Sequence, residues 1–176
     1  MRFYMLDDRY MPQYRFKSVC DITTDDIRAM GVDGLLLDID NTLIYDETLR
    51  PLPGVKEWLE YIRSAGIKTA IVSNAIPVRV IPVAKKLNIG YYIYSAKKPR
   101  PDGLFRAAEK LGLPIERLAM VGDQLKTDML AANTAGAVAV FTDRARDEKI
   151  FRFYFKKARD GEKELLQEFE RRKTEK

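Results

Sequence analysis

Five short apolar runs punctuate the chain, at Leu35–Ile39, Ile67–Val72, Tyr91–Tyr94, Leu118–Val121 and Ala137–Phe141. Each has the length of a buried strand. Between them the spacing changes to that of a helix with one apolar face, as in Val55, Leu59 and Ile62, which follow Pro51-Leu52-Pro53-Gly54 and stop at Gly66. Four more helices are predicted. They run from Thr23 or Thr24, as N-cap, to Gly31; over 76–88, started by Pro77 and restarted or kinked at Pro82; from Asp102 to Leu111, closed by Gly112; and from Thr127 to Ala135. Trp58 and Tyr61 are expected against the core or its edge. Strands alternating with helices predict an α/β fold on a mainly parallel sheet. The chain reads as a single domain over residues 1–176, with a core at about 31–142, an N-terminal flank at 1–30 and a charged helical tail at 143–176.

In such sheets ligands bind beyond the carboxyl ends of the strands. Four of the five runs end in groups suited to that place: Asp38 and Asp40, Ser73, Lys98, and Gly122-Asp123. Side chains two apart on an extended chain project to the same side, so Asp38 and Asp40 can converge. Burying two like charges together is costly unless a cation or a reaction requires them. One carboxylate of such a pair can attack an electrophile while the other gives or takes a proton. With a hard divalent cation beside them, the natural electrophile is a phosphoryl group, whose oxygens also bind metal. Alone, the pair reads equally well as an acidic strand end capping the next helix; the other strand ends shift that reading. A metal would take oxygens from Asp38, Asp123 and a backbone carbonyl such as that of Asp40. The phosphoryl oxygens need donors, which the Ser73 hydroxyl, nearby backbone N–H groups and the Lys98 ammonium can provide. Asp40 can deliver the proton that a leaving alcohol requires. Structural readings stand beside these: Ser73 as a helix cap, Asp128 as a first-turn helix acid, and Lys98 as part of a solvated Lys97-Lys98-Pro99-Arg100 loop in which Lys97 is its rival.

Missing residues narrow the chemistry. There is no histidine, which excludes a Ser-His-Asp triad and His-based zinc sites. Cys20 is the one cysteine, so an internal disulfide framework is excluded, and Asp26 stands where a cysteine phosphatase would need its arginine. No Gly-x-x-x-x-Gly-Lys occurs. Carboxylates, hydroxyls, lysine and metal remain. With 46% hydrophobic and 32% charged residues the composition is that of a soluble globular protein, and the net charge of +5 favours anionic partners. Met1-Arg2-Phe3-Tyr4 followed by Asp7-Asp8 does not read as a secretory signal, and a cytoplasmic protein is expected.

In chain order, Asp38-Ile39-Asp40-Asn41-Thr42, Ser73, Lys98 and Gly122-Asp123 with Asp128 resemble the four motifs of the haloacid dehalogenase-like (HAD) hydrolases, over roughly residues 34–141. Asn41-Thr42-Leu43, Ser73-Asn74 and Lys98-Pro99 look most similar to the subclass III, YqeG-type phosphatases. The resemblance implies a Rossmann-like three-layer fold, Mg2+ as cofactor, and a phosphomonoester phosphatase working through an aspartyl-phosphate. Asp38 would be the nucleophile, and Asp40 would protonate the leaving group and then activate water. Asp38, Asp40 and Asp123 would serve the metal, and Thr42, Ser73, Asn74 and Lys98 the phosphate. Asp128, with Gly122, would support Lys98 or the metal shell. The gaps between Thr42 and Ser73 and between Ser73 and Lys98 hold no cap domain, so the site is expected to be open unless a second subunit of a homo-oligomer covers it.

The YqeG-type group is similar to phosphatidylglycerophosphate phosphatases, which makes an anionic lipid head group at the inner membrane surface the leading expected substrate. Tyr10–Lys17 and Lys149–Lys157 interleave aromatic and basic residues, which suits a lipid interface or, alternatively and above all for the first stretch, a covered sheet edge with its lysines in water. Glu162–Lys176 is expected to be a solvated helix or fraying tail. A soluble sugar-phosphate or nucleotide phosphatase is the alternative, and no nucleic-acid partner is expected. From another class, a receiver-like phospho-accepting signalling module resembles the site, but its acid pair and acceptor lie on different strands.

Overall fold

Gly34–Leu37, which carries no polar side chain, is buried along its whole length and forms the middle of the sheet. The computed structural model describes residues 8–45, 48–145 and 156–174, with backbone only for 156–161 and 173. Strand β2 (Gly34–Leu37) pairs in parallel with β3 (Lys68–Val72) on one side and β5 (Leu118–Gly122) on the other, with Leu36 opposite Ala70 and Met120. With β1 (Tyr14–Phe16), β4 (Tyr91–Ile93) and β6 (Val138–Thr142) the sheet has six parallel strands in the order β1-β6-β5-β2-β3-β4.

Successive residues of a strand face opposite sides, and two layers of helix follow from that. Leu35, Leu37, Ile71 and Val121 face one layer, built by Ile27 of α1 (Thr24–Ala29), Leu59 and Ile62 of α2 (Val55–Ser64), and Val80 and Val83 of α3 (Pro77–Lys86). Leu36, Ala70 and Met120 face the other, built by Leu104 and Leu111 of α4 (Asp102–Leu111) and Ala131 and Ala132 of α5 (Leu130–Ala135). Each fully buried Leu, Ile or Val contributes about 1.5–3 kcal/mol relative to exposure. The result is a three-layer, Rossmann-like α/β fold that brings every strand's carboxyl end to one edge.

Local chemistry fixes the element ends. Thr23 and Asp26 cap α1 reciprocally, each side chain accepting from the other's backbone N–H. Trp58 is buried and donates from Nε1 to the Ile22 carbonyl (2.9 Å), whereas Tyr61 lies at the exposed edge with its hydroxyl on Thr24. Pro82 sits inside α3 without ending it. It lacks the N–H that would bond the Val78 carbonyl, and Val78 is exposed to water.

The structure differs from the sequence pattern in three places. A sixth strand, β1, lies in the flank. Tyr14–Phe16 pairs with Val140–Thr142, and Arg15 is held by Asp143 and Glu170, so this flank forms the sheet edge. The helix expected from Thr127 begins earlier, as a π-helical turn over Leu125–Met129 that leads into α5. The wider turn buries Leu125, Met129 and the Asp128 carboxylate together. The charged tail is not free: α6 (Lys156–Thr174) buries Leu165 in the second core layer and pairs Glu170 with Arg15 and Arg172 with Asp8. Of the second aromatic-basic stretch, 149–155 lies outside the described residues, and Lys156 and Lys157 are seen only as backbone. Among the described residues no helix is long and apolar enough to cross a membrane.

Candidate active site

Past Leu37 the Asp38 N–H still reaches the Val121 carbonyl (2.9 Å), so the strand pairing carries Asp38 to the carboxyl edge of the sheet before the chain turns. Ile39 is buried in the core, and the loop closes on it: Leu43 N–H donates to the Ile39 carbonyl (2.9 Å). Asn41 takes φ 59, a left-handed conformation that Asn tolerates better than most residues. The two acids consequently differ in setting. The Asp38 side chain is 8% exposed and that of Asp40 25%.

Lys98, delivered by the loop after β4, is the centre of the site. Its ammonium has three N–H donors and three acceptors: Asp38 Oδ1 (2.8 Å), Asp128 Oδ1 (2.7 Å) and the Val72 carbonyl (2.7 Å). Lys97, by contrast, is exposed with φ 61 and makes no part of this network. Asn74 clamps the loop. Its amide donates to the Lys98 carbonyl (2.9 Å) and accepts from the Lys98 N–H (2.7 Å), so its side chain faces the lysine's backbone rather than the cluster. Ser73 is buried at the end of β3, and its Oγ accepts from the Ala75 N–H (3.1 Å); the cap residue of α3 is Ile76.

Gly122 explains the position of Asp128. A Cβ on residue 122 would lie 2.2 Å from Asp128 Oδ2, so only glycine leaves room for that carboxylate. The Gln124 N–H then donates to the same oxygen (3.1 Å). Carboxylate oxygens of Asp38, Asp123 and Asp128 lie within 4.8 Å of one another, all three residues buried. The third carboxylate is thus Asp128, expected as support. That of Asp40 turns instead to Arg79, whose Nε donates to its Oδ1 (2.9 Å), joined by Nη2 on the same oxygen.

Electrostatics shows that this cluster is short of positive charge. Burial alone would drive Lys98 toward neutrality, but Asp128 and Asp38 outweigh it and hold its pKa above the ordinary lysine value. Burial pushes Asp128 up to about 6, with Lys98 pulling down and Asp38 pushing up. Burial, then Asp128 and Asp38, lift Asp123 well above the ordinary range, and Arg144 offsets this only in part. Asp123 Oδ1 is buried with no hydrogen-bond partner among the described residues. Three converging hard oxygen donors, one of them orphaned, fit a hard divalent cation.

Two arginines complete the site, and no motif spacing marks them. Arg79 lies in the first turn of α3 within a stretch read only as apolar and basic. Arg144, just past β6, donates from Nε to Asp123 Oδ2 (2.9 Å) and from Nη2 to Glu162 of α6 (3.4 Å). Thr42 is buried with its Oγ1 unpartnered among the described residues, as are Asn41 Oδ1 and Thr142 Oγ1. All three residues line one cavity of about 160 Å3, with Lys17, Ser18 and Tyr45 among its other walls. Cys20 is half-buried away from the cluster, and burial raises its thiol pKa, which suits a packed thiol rather than a nucleophile.

The sequence profile described as haloacid dehalogenase-like hydrolase matches residues 22–136. The "Probable phosphatase YqeG" of Bacillus subtilis is 35% identical over 132 residues, which span 75% of this chain and 76% of that protein. A "Phosphoglycolate phosphatase" of Neisseria meningitidis is 32% identical over 99 residues, 52% of this chain and 42% of its own length. CbbY from Rhodobacter sphaeroides, solved in complex with phosphate, shares the fold, with a TM-score of 0.51 at 16% identity, covering 68% of this chain and 91% of that one.

Proposed function

The chain belongs to the haloacid dehalogenase-like hydrolases and is a phosphatase of that family; on that premise we propose that it hydrolyses phosphomonoesters in two steps, through a phosphoryl group carried on Asp38. The observation that supports this most is the buried Lys98 ammonium, shared between Asp38 and Asp128 beside a third carboxylate, with Asp40 at the solvent side. Asp38, Asp123 and Asp128 would hold Mg2+, which when bound supplies positive charge against the phosphoryl oxygens.

The residues divide the work as follows. A carboxylate oxygen of Asp38 attacks phosphorus, and the ester P–O bond breaks as the new one forms. Asp40, protonated for this half, gives its proton to the departing alkoxide. Water then attacks the same phosphorus, its proton passes to the Asp40 carboxylate, and the bond to Asp38 breaks to release inorganic phosphate. Lys98 keeps positive charge 2.8 Å from the nucleophile throughout and fixes its orientation. The Ser73 hydroxyl, whose Oγ accepts from Ala75, donates its own hydrogen to a phosphoryl oxygen. Thr42 lies on the same loop as the acid pair and adds a buried hydroxyl. Asn74 acts through the Lys98 loop, and Gly122 acts by admitting Asp128.

The leading substrate is a phosphate presented at an anionic lipid surface, such as phosphatidylglycerophosphate. Ile76 and Val78, on either side of the start of α3, are 60% and 72% exposed close to Arg79, which favours a rim that meets an apolar phase. A small soluble phosphomonoester is the second reading, favoured by the likeness to phosphoglycolate phosphatase. Purified protein, with Mg2+ or EDTA, tests both on para-nitrophenyl phosphate and on phosphatidylglycerophosphate in mixed micelles. Metal-dependent release from the lipid with weak turnover of the small ester supports the first reading. Turnover of the small ester alone moves the substrate to soluble metabolites, and full activity in EDTA refutes the metal-assisted mechanism.

A further inference from the structure

Arg79 is bonded to the acid that serves the leaving group in the proposed reaction. The Asp40 carboxylate is the group that faces the departing alcohol in the reaction above, and Arg79 holds that carboxylate by both N–H groups of one guanidinium edge. Two donors of its planar fork reach Asp40 at Oδ1, and a fork of this shape can span the two oxygens of a flat anion. Lys98 is sealed in the interior with 2% of its side chain exposed, whereas the Arg79 side chain keeps 24%. The residue is also rigidly carried: it rises from a helix anchored in the core by Val80, Val83 and Ala84, and the first turn of that helix contains no acid. A leaving alcohol seated at Asp40 therefore extends past a pre-positioned cation with a geometry suited to a flat anion.

We infer that Arg79 selects the leaving group, and that the substrates of this site are phosphomonoesters whose alcohol carries a second anion, a carboxylate or a phosphodiester, within a few bonds of the ester oxygen. The inference rests on the phosphatase reading above and adds to it a chemical class. Binding the second anion brings the fork from Asp40 onto both oxygens of the substrate group. A neutral alcohol of the same size gains nothing from Arg79.

Matched substrate pairs test this on the full chain with Mg2+. 2-Phosphoglycolate against 2-hydroxyethyl phosphate isolates a carboxylate; deacylated phosphatidylglycerophosphate against glycerol 3-phosphate isolates a phosphodiester. The readout is the ratio of kcat/KM within a pair, which is insensitive to the fraction of active protein. We expect the wild type to prefer the anionic member of at least one pair by about tenfold or more, the scale of one charge-assisted bidentate contact. The pair with the larger ratio identifies the anion. In Arg79→Gln that ratio falls toward one, chiefly through KM, and Arg79→Lys, which keeps the charge without the fork, lies between. A wild-type ratio near one in both pairs, or a ratio unchanged in Arg79→Gln, overturns the inference while para-nitrophenyl phosphate turnover still upholds the phosphatase. Loss of Mg2+-dependent turnover on every ester overturns the phosphatase reading itself, and the inference with it.

Discussion

Replacing Lys98 with methionine removes the ammonium while keeping a flexible chain of similar length in a fully buried slot. Three hydrogen bonds vanish at once, to Asp38, Asp128 and the Val72 carbonyl. Breaking a buried ion pair from one side costs about 3–5 kcal/mol, because the partner is left charged in a poor solvent. Here two carboxylates are left, but either can take up a proton, so the single-pair range is the better guide. At about 2–4 °C per kcal/mol for a chain of this size, the melting temperature should drop by about 6–20 °C. The same deletion leaves Asp38, Asp123 and Asp128 facing one another without the lysine. Millimolar Mg2+ should therefore restore more of the melting temperature in Lys98→Met than it adds to the wild type. Phosphatase activity should fall by about 10²–10³ or more, the usual cost of one preorganised charge at a reacting centre. Thermal melts of both proteins in EDTA and in Mg2+, followed by circular dichroism, give the answer. A variant melting within about 2 °C of the wild type in EDTA would refute the buried-pair reasoning. Melting unaffected by Mg2+ in both proteins would refute the cation site.

Other consequences are open to equally direct measurement. Asp38→Asn should abolish turnover, because an amide does not attack phosphorus, whereas Asp40→Asn should slow it and accumulate a phosphoenzyme visible by mass spectrometry; wild-type rates in Asp38→Asn would sink the nucleophile assignment. Gly122→Ala places a methyl 2.2 Å from Asp128 Oδ2, so it should displace that carboxylate and cost about 3–5 kcal/mol in urea unfolding; a neutral substitution would show that the neighbouring turn yields. In EDTA, the folded protein holds the Asp128 proton up to about 6 against an ordinary 3.8, so the stability linked to this group is complete below the lower value and is lost as pH rises through the upper one. That part of the pH slope should disappear in Asp128→Asn and shrink in Mg2+. A slope of the opposite sign in the wild-type-minus-variant difference would contradict it.

Much of the fold could be read in the chain because the central strands are buried on both faces. Runs such as Leu35–Leu37 and Leu118–Val121 have no other comfortable environment, and the polar residues that end them mark the carboxyl edge of the sheet. The positions Asp38, Ser73 and Asp123 were visible for that reason, each directly past the end of a strand, and Lys98 lies further on, in the loop after β4. Lys98 could not be separated from Lys97 on sequence, since both are lysines in one basic loop; burial between two carboxylates distinguishes them. β1 was hidden because its three residues pair through the backbone with β6, which no side-chain pattern reports. Arg79 and Arg144 were hidden because each meets its acid across a long stretch of chain, through the folding of α3 and β6. The docking of α6 rests on Leu165 and on ion pairs to residues at the other end of the sequence.

The clamp between Asn74 and Lys98 has a consequence for how such a centre can be moved or rebuilt. The amide of Asn74 takes up both main-chain polar groups of the lysine, as a neighbouring strand would, and so continues the backbone bonds that run from the Ala96 N–H to the Ser73 carbonyl and from the Ser95 N–H to the Ala75 carbonyl. The height of Lys98 above the sheet is thereby gauged against the end of β3 at Ser95, Ala96 and Lys98 together. Residues 94 to 97 therefore cannot change in number without loosening one of these bonds, and Ala96, buried against Gly103, leaves little room for a larger side chain. A designer grafting this lysine onto another parallel sheet would have to transplant the asparagine and the residues from Ser73 to Ala75 and from Ser95 to Lys98 with it, because the portable unit is the two bonded loop ends.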